Sequence, residues 1–300
     1  MVKDQSRISF YSQISSNKRK SIFLMIVVFI VLITLGGVIG FALGPDYFFL
    51  IMILSTVLSI IYIWLGFYYS DKIALASVNA QPAEISEYKQ FHDIVEGLTL
   101  ASGMPKPRLY IMKDPNINAF ASGRDPKNAV ICVTTGALEK LDKQELEGVL
   151  AHELSHIANY DIRFMTLTAV LVGMVAIISQ IFLRSLWFKN NDRDDNKGGI
   201  FLLIIAIAFA IIAPIVVQLV QLAISRKREY TADASAVKFI RSPTGLIKAL
   251  RKIKADHSPP SKVNKAVAPL FFGDPFKKNM DSLMSTHPPL SKRIEILERM

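Results

Sequence analysis

Four long stretches without one charged residue constrain this chain more than anything else in it. Residues 22–43, 48–69, 164–183 and 201–224 contain no Asp, Glu, Lys or Arg. Each is long enough for a helix, rising about 1.5 Å per residue, to cross about 30 Å of hydrocarbon. A helix is also the one single-segment structure that satisfies its own backbone there. A core helix of a soluble protein would show a polar face, and these runs show none. The expected architecture is therefore a multi-pass α-helical membrane protein with four transmembrane helices, paired as two hairpins. The first run reads as a span and not as a cleaved signal. It is longer than a signal core, a second span follows almost at once, and about 20 mostly polar residues precede it.

The net charge of +10 is then first a topology signal. Lys3, Arg7, Lys18, Arg19 and Lys20 precede the first span, whereas the connection to the second holds only Asp46. Segment 225–300 carries 16 Lys and Arg against 7 Asp and Glu, and the 188–199 connection balances three basic with three acidic residues. The positive-inside rule places the N-terminal tail 1–21, residues 70–163 and residues 225–300 in the cytoplasm, with the hairpins at 22–69 and 164–224 between them. The partner implied by this charge is an anionic lipid bilayer and not nucleic acid. The lone Cys132 excludes an internal disulfide and reads as a small buried residue in "AVICV".

The soluble part comes in two pieces. In the first, residues 84–102 read as an amphipathic helix, "RLYIM" (108–112), "NAFASG" (118–123) and "AVICVTT" (129–135) as a small sheet, and residues 143–160 as a helix. The second piece is mostly helical, over 226–240, 243–255 and 288–299, with a long Pro- and Lys-rich loop at 257–280. Together they predict a cytoplasmic α+β domain.

Its chemistry is announced by His152-Glu153-Leu154-Ser155-His156. Four residues apart on a helix, the two imidazoles share one face and can reach one ion, with Glu153 beside them as a general base toward water. Chance composition yields about 0.003 such matches in a chain of this size, so the motif outweighs two packed helix histidines. Two histidines do not complete the usual three-ligand set. The remaining histidines are His92, His257 and His287; the preferred third ligand is Glu229 in "SRKREYTADASAVKF", with Asp233 one turn on to accept the outer N–H of a ligand histidine. Two spans separate His156 from Glu229. An even number of crossings returns the chain to the same side, so the ligands can meet. The bottom-up case for His287 is divided between a donor to a developing oxyanion and a residue that ends a loop before Pro-Pro.

"HELSH", then "REYTAD" after a membrane hairpin, then "STHPPLSKRI", together with "NINAFASG" before the first motif, resemble the HtpX-type membrane zinc metalloproteases, relatives of the CAAX prenyl proteases. The resemblance implies a zincin-like (gluzincin) domain and one Zn²⁺ per chain on His152, His156 and Glu229. It implies that Glu153 is the general base and Asp233 an outer partner. It further implies that the NAF segment, Asn118, Ala119 and Phe120, forms an edge strand on which Asn118 meets substrate, and that His287 and Arg293 sit near the cleft. Arg293 is expected to buttress a carboxylate such as Asp233 or Glu229.

The function so implied is endopeptidase cleavage of membrane or membrane-associated proteins at the cytoplasmic side of a bacterial inner membrane, in quality control and stress response. Two alternatives belong to other classes. A prenyl-protein endoprotease would need an apolar chamber for the lipid, and a non-catalytic basic membrane adaptor would bind no metal.

Overall fold

The computed structural model describes residues 10–170, 226–264, 267–276 and 288–300. The first two apolar runs form α1 (Phe10–Leu43) and α2 (Pro45–Tyr68), both long and apolar enough to cross a membrane. They pack as a hairpin. Its turn is Gly44, whose φ of 111° suits a residue without a side chain, followed by Pro45, whose fixed φ starts the next helix. Small residues let the helices touch: a Cβ on Gly36 would lie 2.3 Å from the Ser55 side chain. The outer surface of the pair is apolar, with Phe49 77 % and Leu58 63 % exposed, as a surface meant for lipid must be.

One boundary differs from the sequence expectation. α1 does not begin where the apolar run begins; it reaches back through polar residues to Phe10, so much of the expected tail is helix. Of the second expected hairpin, 164–224, residues 164–170 are helical, continuing from 161, and the rest, including the run 201–224, lies outside the described residues. Among the described residues there are thus two candidate spans.

Residues 161–170 join the hairpin to the soluble domain. Leu24 packs on Phe164 and Leu167, and the Tyr62 hydroxyl donates to the Val170 carbonyl at 3.1 Å. After α3 (Ser70–Ser77) come β1 (Gln81–Pro82), α4 (Lys89–Ser102), β2 (Arg108–Met112), β3 (Ala119–Gly123), β4 (Ala129–Thr134), α5 (Thr135–Lys140) and α6 (Lys143–Ala158). The four strands are ordered β1-β2-β4-β3. β2 and β4 run parallel with Tyr110 opposite Cys132; β1 on β2 and β3 on β4 are antiparallel. β4 is buried along its whole length, which explains why "AVICVT" is a continuous apolar run without alternation. β1 is two residues long, too short to leave a pattern in sequence. α4 starts five residues later than the periodicity suggests because Glu84 accepts the Glu87 and Tyr88 amides in a turn.

α6 sits between the sheet and the second soluble piece, α7 (Arg226–Ile240), α8 (Thr244–Ala255) and α9 (Leu290–Leu297). A capping box starts it: Asp142 accepts the Glu145 amide at 2.9 Å and Glu145 accepts the Asp142 amide at 2.8 Å. The same buried Glu145 holds Lys252 of α8 at 2.6 Å. Gly148 and Gly245 let α6 and α8 meet backbone to backbone, since a Cβ on Gly148 would stand 2.5 Å from the Leu246 nitrogen. Residues 267–276 are more than loop: Leu270, Phe271 and Phe272 are buried, Phe271 bridges Phe120, and the Phe272 N–H donates to the Ala119 carbonyl at 2.8 Å.

Candidate metal centre

α6 carries His152 and His156 one turn apart, and their Nε2 atoms stand 3.2 Å from each other. α7 brings Glu229 across from the other soluble piece. Its Oε2 lies 3.5 Å from His152 Nε2 and its Oε1 lies 3.5 Å from His156 Nε2. Among the described residues these three form the one group of metal-ligating side chains whose donor atoms converge, all within 4.8 Å of one another. The triangle can be tested against an ion. Four ligands arranged tetrahedrally at about 2.0–2.1 Å lie about 3.3–3.4 Å apart. The 3.2 Å between the imidazoles matches that spacing, and each imidazole has its own Glu229 oxygen at 3.5 Å, Oε2 for His152 and Oε1 for His156, so one carboxylate within reach of both completes a three-residue donor set that fits a divalent ion.

The outer nitrogens of both histidines meet carboxylates. His152 Nδ1 is 2.9 Å from Asp233 Oδ1 and His156 Nδ1 is 3.1 Å from Asp161 Oδ2. Each Nδ1–H therefore donates outward and each Nε2 lone pair faces the shared centre. Arg293 supports one of these carboxylates. Fully buried, it donates to Asp233 twice, at 2.9 and 2.7 Å, and lies over the Phe272 ring. An Arg293 nitrogen also comes within 3.3 Å of His152 Nδ1, but guanidinium only donates; with Asp233 closer, that nitrogen keeps its proton for the carboxylate. Despite the burial, Arg293 and His152 hold Asp233 below its ordinary carboxylate range.

Glu153 is 2 % exposed, and burial raises its carboxyl, with the neighbouring histidines and the Ala121 N–H of β3 pulling the other way. A carboxyl lifted toward neutrality next to an ion site suits a group that must both take and return a proton. Asn118 uses both ends of its amide on Gly273, donating at 2.9 Å and accepting at 3.0 Å. Phe120 is buried against Phe271, while the Phe272 ring stands edge-on to His152 with centroids 4.8 Å apart. His287 lies outside the described residues. His92 binds the Ala83 carbonyl at 2.7 Å, and His257 is exposed; neither joins the metal group. Cys132 is buried, which pushes its thiol up and away from reactivity.

Asp161 was legible only as the edge of the membrane region, beside Tyr160 and Arg163. Five residues past His156, it would miss that histidine on a continuous helix. Tyr160 adopts a left-handed φ of 59°, the helix breaks, and Asp161 swings back onto His156. Asn17 of α1 then donates to the second Asp161 oxygen at 2.7 Å, a contact across 144 residues that no local pattern signals.

Comparison with known proteins agrees with this geometry. The profile of Peptidase family M48 matches residues 86–300. A protein of Thermoanaerobacter pseudethanolicus named Protease HtpX homolog is 43% identical, with 98% of each chain covered. One of Streptococcus uberis with the same name is 39% identical over 97% of this chain and 99% of its own. Among solved structures, S. mikatae Ste24p resembles it with a TM-score of 0.50 at 18% identity, a likeness of fold; the match covers 94% of this chain but 65% of that one, less than two thirds of its length.

Proposed function

This chain belongs to peptidase family M48 and is a membrane-associated metalloprotease; from that premise we propose that it is a zinc-dependent endopeptidase cutting membrane and membrane-associated proteins at the cytoplasmic face of a bacterial inner membrane, in quality control of damaged proteins. The observation that carries the reading is the triangle of His152, His156 and Glu229 with a buried Glu153 beside it. It sits where α6 ends and, past the bend at Tyr160, the helical residues 161–170 pack against two lipid-suited helices. The cytoplasmic placement rests on the excess of Lys and Arg flanking the apolar runs.

Bound by those three residues, zinc would supply Lewis acidity toward the scissile carbonyl and toward water. The protein does the rest. Asp233 and Asp161 hold the ligand tautomers, and Arg293 holds Asp233. Glu153 takes a proton from the attacking water and returns it to the leaving amine, so the peptide bond is exchanged for an acid and an amine with protons balanced. The substrate strand would add to the edge of β3, near Asn118, Ala119 and Phe120. Its support is the position of β3 at the end of the sheet, with the Ala121 N–H on Glu153. Pairing at Ala119 requires Phe272 to release that carbonyl, and contact with Asn118 requires Gly273 to release its amide. His287 is the proposed donor to the oxyanion.

The test is Glu153→Gln in purified full-length protein. It keeps stoichiometric zinc and loses hydrolysis of a casein-type or membrane substrate by about 10²-fold or more. Wild-type cleavage by that variant eliminates the mechanism. Equal cleavage of unlipidated and prenylated peptides separates this reading from a prenyl-protein protease.

A further inference from the structure

We propose that Asn17, in the cytoplasmic extension of the first membrane helix, is a positioning residue of the metal centre, acting on His156 through Asp161. The inference rests on the reading of His152, His156 and Glu229 as metal ligands. Asn17 is 5 % exposed, and its Nδ2 donates twice, to Asp161 Oδ1 at 2.7 Å and to the Asn159 carbonyl at 2.9 Å. Asp161 is buried as well, and its other oxygen faces His156 Nδ1 at 3.1 Å. One carboxylate thus joins a residue near the N-terminus to an imidazole in the catalytic motif.

The chemistry of the chain explains the arrangement. A buried carboxylate needs its lone pairs occupied, and the direction in which it presents the oxygen at His156 depends on what holds the other oxygen. The Asn17 amide, with two N–H donors and no charge, orients the carboxylate by hydrogen bonding alone, whereas Arg228 and Lys20 act on Asp161 through their charge. The second donor of the same amide grips the Asn159 carbonyl, at the break where Tyr160 turns the chain back. Asn17 therefore braces both the carboxylate and the bend that aims it. Its own carbonyl accepts the fully buried Ser21 hydroxyl at 2.9 Å, which locks this turn of α1. This is a reason for α1 to continue as helix for about three turns below its apolar run: the membrane anchor is part of the metal site and not only a tether.

A purely structural Asn17 would also bury well, so the test must separate the two. Metal-free full-length protein in detergent is titrated with Zn²⁺ against a chromophoric chelator, in four forms: wild type, Asn17→Leu, Asp161→Ala and the double variant. Asn17→Leu keeps the branched outline and removes both donors; if it does not fold by circular dichroism, Asn17→Ala takes its place. The expected loss in zinc affinity is about tenfold for Asn17→Leu and about 10–100-fold for Asp161→Ala, the range for outer partners of metal ligands. In the Asp161→Ala background the Asn17 change adds no further loss, since its route to His156 is already gone. Wild-type affinity in Asn17→Leu overturns the proposal, and so does an equal loss in both backgrounds, which would mark Asn17 as a packing residue. Wild-type protein that binds no zinc sinks the underlying metal reading instead, a result distinct from either.

Discussion

Replacing Arg293 by Met tests whether the buried network behind His152 holds the domain together. Arg293 is fully buried and Asp233 is 1 % exposed. In the wild type two charged hydrogen bonds of 2.9 and 2.7 Å join them, and a third Arg293 donor reaches the Phe272 carbonyl at 3.4 Å. Met fills most of the volume, so little is lost in packing. What remains is a carboxylate in an apolar interior with only the His152 N–H for company. Breaking one side of such a buried pair costs about 3–5 kcal/mol, and the His152 contact favours the lower end. Against a total stability of about 5–15 kcal/mol, that is a large fraction. Denaturant unfolding of the metal-free, detergent-solubilised chain reads it as a fall in midpoint with unchanged slope. The double variant Arg293→Met with Asp233→Asn recovers more than half of the loss, because the Asp233 charge is no longer stranded and the new amide oxygen still accepts from His152, while Glu229, 3.7 Å from Arg293 in the wild type, keeps its histidine neighbours. An Arg293→Met protein as stable as wild type within about 0.5 kcal/mol refutes the reasoning, and a double variant less stable than the single one refutes the stranded-charge explanation.

Two further outcomes follow from the same geometry. Gly148→Ala drives a Cβ to 2.5 Å from the Leu246 nitrogen and 2.8 Å from its Cα, neither of which can swing away; overpacking of about 1–3 kcal/mol exceeds the helix-propensity gain of about 1 kcal/mol, so the thermal midpoint falls, and an unchanged or higher one refutes the close crossing of α6 and α8. In metal-free protein, burial and the Arg293 charge oppose a protonated His152, yet the carboxylates of Asp233 and Glu229 prevail and raise it to about 9. An incoming ion must displace that proton, so apparent zinc affinity rises with pH, by about tenfold per unit until pH 9 and little above it; an affinity flat from pH 6 to 8 contradicts the assignment.

Local order was legible in the residues alone. Two imidazoles four apart share a helix face whatever surrounds them, and uncharged runs of 20 residues or more are long enough to cross lipid whatever their partners. Strands β2 and β4 were visible for the same reason, as short apolar runs between turn residues. The convergence of Glu229 on the histidines was readable as a possibility, because the expected pair of crossings between them would permit it. The tertiary structure decided what depends on where a chain bends and what it then meets. A left-handed Tyr160 turns Asp161 onto His156, α1 extends to bring Asn17 across 144 residues, and the 267–273 segment closes over β3 from a stretch that reads as loop. Periodicity records how an element treats its own residues. Contacts between distant elements leave no period, because the energy that selects them comes from burial and hydrogen bonding shared by residues far apart in the chain.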